Sequence, residues 1–130
     1  MSYGSKAYKQ TSVTTASRGQ LLILLYEAAV RNLRQAAECI EKKDIKGKGI
    51  HLLKVHDIVN ELSGSLDFKV GGKIAEDLDR LYAFMTEQLF KANAENSVEI
   101  IRGVEKVMTN LLEGWRGAVS QVESGGGKPK

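Results

Sequence analysis

Cysteine, proline and aromatic residues are scarce in this chain of 130 residues, and it has no long apolar run. The single cysteine, Cys39, excludes an internal disulfide framework and any zinc or iron–sulfur site built from several thiolates. A lone thiol suits a reducing compartment. The single proline, Pro129, stands in the tail, so no proline interrupts a helix before it. The longest apolar run, Leu21 to Tyr26, has six residues, far short of the roughly 20 needed to cross a bilayer. Met1 to Ser17 is polar and lacks the apolar stretch of a secretory signal. A cytoplasmic protein without membrane insertion is expected. Neither sign of charge dominates: the net charge is +3, with 19 Lys and Arg against 16 Asp and Glu. The basic residues form no run interleaved with aromatics, which argues against a nucleic-acid partner.

What is present is a helical period. The length suits one domain, and 42% hydrophobic with 27% charged residues is the composition of a folded one. Glycines group at Gly47/Gly49, Gly71/Gly72 and Gly125 to Gly127, and between the groups apolar residues recur every three or four positions. From about Arg18 to Lys43 the stripe is Leu22, Tyr26, Ala29, Leu33, Ala36 and Ile40, with Ser17 and Gln20 in a capping-box pattern at its start. From about Lys46 to Leu66 it is Leu52, Val55, Val59, Leu62 and Leu66. From about Gly72 to Asn93 it is Ile74, Leu78, Leu81, Met85, Leu89 and Ala92. The last segment opens on Asn96 and Glu99, a second capping-box-like pair, and carries Ile101, Val104, Met108, Leu111, Trp115, Ala118 and Val122. Short connections force consecutive helices to run antiparallel. The spacing therefore predicts an all-α, antiparallel up-down four-helix bundle over residues 17–123. A flexible arm (1–16) precedes it, and a disordered Gly- and Lys-rich tail (124–130) follows.

Bundles often hold metals or haem, so ligand spacing is decisive. A di-iron bundle needs Glu-x-x-His pairs. Here Lys48 and Leu53 precede His51 and His56 by three, and no haem-attachment motif occurs. Cys39 reads as a small packing residue on a helix flank. No catalytic group, metal or cofactor is expected. One catalytic-type alternative is a histidine phosphotransfer-like signalling domain using His51 or His56, although Val55 falls in the core stripe where such a site needs a small residue.

The informative feature is apolar excess away from the stripes. At 100° per residue, Ile50 and Leu53 lie about 140–160° from the core stripe of their helix, and Phe90 about 145° from its own. Leu24 points outward, and Ile100 and Val107 widen one flank of the last helix. Antiparallel order brings the start of the second helix, the end of the third and the start of the fourth to one end. Ile50, Leu53, Phe90 and Ile100 are thus expected to share a region. A contiguous patch of this kind marks a partner surface. A partner helix, a second copy of the chain, or the arm with Tyr8 and Val13 would each cover it.

Tyr8, the run Val13 to Ser17 and the run Leu21 to Val30 resemble the opening of the flagellar export chaperones of the FliS family. Glu61-Leu62, Ser65 to Asp67, Gly71 to Ala75, Leu78, Leu81-Tyr82, Met85, Ala92-Asn93 and Trp115 continue the likeness in order, over about residues 8–118. Arg18 stands where the family usually has proline, and Ala28 where it usually has glycine. The resemblance implies a chaperone that holds newly made flagellin in the cytoplasm. It would bind flagellin's disordered C-terminal segment, prevent premature polymerisation, and present the complex to the export gate without ATP or metal. Ile50, Leu53, Phe90, Ile100 and Val107 are the expected contacts, from their outward or flank positions. Tyr8 and Val13 are expected to fold over the first helix near Leu24. The same surface would also serve a homodimer.

Overall fold

The structure is a computed structural model that describes residues 15–123. The expectations for Tyr8, Val13 and the tail fall outside that range. Four helices follow one another: α1 (Thr15–Glu41), α2 (Ile45–Gly64), α3 (Phe68–Glu95) and α4 (Val98–Glu123). α1 packs on α2 and α4, and α3 packs on the same two, so the helices stand at the corners of a square. Cross-helix pairs show the directions. Glu27 and Arg34 on α1 meet Arg116 and Glu105 on α4, in reversed order. Ser63 and His56 on α2 meet Asp79 and Phe90 on α3, again reversed. Every neighbour is antiparallel, and the expected bundle is the observed fold.

Local chemistry sets the helix ends, and two of the expected caps differ. α1 already runs at Thr15, so Ser17 lies inside its first turn and is not the cap. Nothing in Thr15–Ser17 forbids helix, since neither proline nor glycine occurs there. Asp44 caps α2 by accepting from the Gly47 N–H at 2.9 Å, and Asp67 caps α3 by accepting from Lys69 and Val70. Asn96 does not open α4. It closes α3 in the left-handed conformation (φ 51°), with its N–H on the Ala92 carbonyl. Ser97 caps α4, its hydroxyl accepting from the Ile100 N–H at 3.1 Å. α3 is also kinked: Gly72 has φ 53° and ψ −124°, which sets Phe68–Gly71 apart as a separate turn.

The core joins all four helices through Tyr26, Leu33, Val55, Leu62, Met85, Leu89, Ile101 and Met108. At its centre the hydroxyls of Tyr26 and Tyr82 share a 2.5 Å hydrogen bond across the bundle's diagonal, from α1 to α3. Burial pushes both phenols above the ordinary tyrosine range. Three residues expected in the core stripes are exposed instead: Ile74 (67%), Ala118 and Val122. Ile74 follows the Gly72 kink, which displaces the start of α3 from the line of its core stripe. Ala118 and Val122 lie in the last turns of α4, at the edge of the bundle. Val30, Ala37, Ala75, Tyr82 and Leu112 are buried although they fall off the expected stripes.

Candidate functional site

The helices do not pack evenly. The α1 backbone runs close to α2 and α4 along much of its length, whereas α3 stands off from both. Grooves therefore flank α3. Large apolar side chains exposed to solvent concentrate on α2 and α3: Ile45, Ile50 and Leu53 on the former, Phe68, Val70, Ile74, Phe84 and Phe90 on the latter. α1 contributes Leu24 and α4 only Val122.

The sequence-expected residues divide by groove. Leu53 (61% exposed) stands one turn before His56 on the α3-facing side of α2, and the His56 ring packs on Phe90 with centroids 4.6 Å apart. Phe90 itself is 63% exposed, so the two rings make a half-open apolar ridge across the α2–α3 groove. Ile50 is exposed on the same end of α2 but lies on its outer face. Ile100 and Val107 are half-buried and packed against the core. Glu105 and Arg116 mark the α1 side of α4, so by helical rotation Ile100 and Val107 lie on its α3 side. Of the residues expected to share a region, Leu53 and Phe90 therefore border the α2–α3 groove, Ile50 lies on the outer face of α2, and Ile100 lies on the α3 side of α4. Leu24 is exposed near the start of α1, at the opposite end from Ile50.

That opposite end holds a feature absent from the sequence reading. A cavity of about 260 Å³ lies between the start of α1, the end of α2, the start of α3 and the end of α4. Leu22, Leu62, Leu66, Val70, Leu78 and Trp115 form its apolar wall. The indole N–H of Trp115 is buried and finds no aligned acceptor among the described residues. The one sequence signal was the pair of glycines at 71 and 72, placed between the exposed side chains of Phe68 and Val70 and that of Ile74.

The α1–α4 face has another character. Its groove is lined by Glu27, Arg31, Arg34, Glu113 and Arg116, with ion pairs Arg34–Glu105 at 2.6 Å and Arg116–Glu27 at 2.7 Å. Both histidines are half-buried and have neighbours. His51 Nδ1 is 2.8 Å from Asn32 Oδ1, and His56 is covered by Phe90. Burial draws the His56 imidazole below the ordinary histidine range, and Asp57 partly opposes this. Among the described residues no cluster of three or more His, Cys, Asp or Glu is arranged to hold a metal, and no helix is long and apolar enough to cross a membrane.

Fold and surface together define an antiparallel four-helix bundle with one polar, ion-paired flank and one flank of exposed apolar side chains. Residues 1–122 match the family model described as flagellar protein FliS, and the chain belongs to that family. It is 37% identical over 118 residues to the flagellar secretion chaperone FliS of Salmonella typhimurium, covering 87% of both chains. It is 34% identical over 116 residues to FliSB of Pseudomonas aeruginosa (86% of this chain, 92% of that one). The Bacillus subtilis flagellar secretion chaperone FliS is 31% identical over 113 residues, covering 87% of this chain and 84% of the relative.

Proposed function

We propose that this chain is a cytoplasmic flagellar secretion chaperone whose client is the C-terminal segment of flagellin. The client lies along the grooves beside α3, is kept from polymerising, and is handed to the export gate in the membrane. The observation that carries this reading is the gathering of exposed apolar side chains on α2 and α3, with an apolar cavity at one end and a charged face opposite. A disordered client loses conformational entropy on ordering, so its affinity must come from a long, mostly apolar contact. Separated anchor points along a 28-residue helix suit such a contact better than a single pocket. Ile50, Leu53, Phe90, Ile100 and Val107 are the proposed contacts. Before the client arrives, Tyr8 and Val13 of the arm shield apolar surface near Leu24, and the same surface permits self-association.

Co-purification tests both parts. Full-length flagellin from the source organism is expected to form a 1:1 complex with this chain, and flagellin without its C-terminal segment is expected to form none. Equal capture of both overturns the client assignment. Removal of residues 1–12 is expected to alter flagellin affinity; an unchanged value removes the arm from the mechanism.

A further inference from the structure

Lys48 is the one charged side chain buried among the described residues, with 6% of its surface exposed. It rises from the first turn of α2. Its Nζ donates to Asn96 Oδ1 at 2.6 Å and to the Asn93 carbonyl at 3.1 Å. Asn96 is the left-handed cap of α3, and Asn93 belongs to the last turn of that helix. The ammonium thus sits at the negative end of a long helix, on one carbonyl of its last turn and on the side-chain oxygen of its cap. An ion taken out of water persists only where such partners are fixed in place.

Its position in the chain gives this bond a further meaning. Lys48 lies two residues before Ile50 and five before Leu53. Asn93 lies three after Phe90, and Asn96 four before Ile100. One buried clamp therefore ties together the elements that carry these apolar side chains, at the end of a helix that otherwise stands off from its neighbours. We propose that Lys48 is a positioning residue for client binding: by holding the α3 C-terminus it sets the separation of Leu53 on α2 from Phe90 on α3. It touches no client itself, and the inference rests on the flagellin-docking reading above. A compact point charge with three donors is what the geometry requires. A methionine of similar length fills the volume but leaves the Asn93 carbonyl and the Asn96 amide without their donor.

The test compares Lys48→Met with Asn96→Gly, which removes Oδ1 while keeping a residue at home in the left-handed cap. The probe is a peptide of the source flagellin's C-terminal segment, titrated calorimetrically. The His56–Phe90 ring contact is followed by NMR. Both variants are expected to stay helical and to lose affinity by about tenfold. The double variant is expected to be no worse than the weaker single one, because the bond that Asn96→Gly removes is one of the two that Lys48→Met already removes. Ring contacts between His56 and Phe90 are expected to weaken, with the imidazole titrating closer to its ordinary range. If Lys48→Met does not fold, Asn96→Gly carries the test alone. Unchanged affinity and ring contacts, or losses that add in the double variant, overturn the proposal. Phe90→Asp separates the two levels. Binding lost there but kept in both clamp variants refutes the Lys48 role alone, whereas binding kept in Phe90→Asp refutes the docking reading beneath it.

Discussion

At the scale of single residues, the buried tyrosine hydroxyls and the Asn32 amide are answered by specific partners, whereas the buried indole N–H of Trp115 is not. Tyr26 and Tyr82 satisfy each other across the diagonal, and Asn32 spends its amide on the Ala28 carbonyl and on His51. His56 has a different environment, since an aromatic ring covers it. Burial lowers its pKa below the ordinary histidine value of 6.5, so the unfolded chain takes up the proton first as pH falls. The contribution to stability is complete above pH 6.5 and is lost as pH drops from there through the lower folded value. His56→Leu cannot titrate, so its stability is expected to decline less than the parent's over that window. Urea unfolding across the window reads the difference; parallel declines would show that His56 contributes nothing. The outward direction of Leu24, Ile50, Leu53 and Phe90 could be read in advance, because a helical period fixes each side chain's angle about its axis. The burial of Lys48 could not, because a lysine in a first turn ordinarily stays in water.

At the scale of elements, α3 is where pattern and structure part. Its stripe from Leu78 to Ala92 is buried or half-buried as spaced, yet Ile74 is exposed and Val70 and Gly71 line a cavity. The Gly72 kink accounts for the break, since its φ of 53° with ψ of −124° belongs to a region that side-chain-bearing residues rarely enter. Gly72→Ala is expected to destabilise the chain by about 1–3 kcal/mol. Gly103→Ala, inside regular α4 with open space around the new methyl group, is expected to stabilise it by roughly 0.5–1 kcal/mol. Denaturant midpoints check both signs. A neutral Gly72→Ala would mean that the kink is not set by this glycine. The misplaced caps have a simpler cause. Asn suits both a helix start and a left-handed helix end, and only the packed chain shows which end Asn96 serves.

At the scale of the whole molecule, the four faces are unequal. The α1–α4 seam is closed by ion pairs and by the close approach of Gly19 to Val119, where an added Cβ would come within 2.6 Å of the valine. The seams beside α3 are looser and bordered by apolar side chains. Their exposure makes substitutions there informative about binding rather than folding. Ile50→Asp combined with Leu53→Asp is expected to change stability by no more than about 1 kcal/mol, since neither side chain is buried. The same pair is expected to weaken flagellin binding by about tenfold or more. Circular dichroism and calorimetry report the two quantities separately. Unaltered affinity would remove both residues from the client contact.

The residues alone determined four amphipathic helices, their antiparallel order and the membership of a chaperone family. Apolar period, short links and scarce helix breakers leave few other arrangements. Tertiary structure decided which apolar flanks were covered: it set Ile100 and Val107 against the core, opened a cavity at the far end and buried Lys48. The reason is geometric. A period states the angle at which a side chain leaves its helix, whereas burial depends on what stands opposite, and that is settled only when the helices pack.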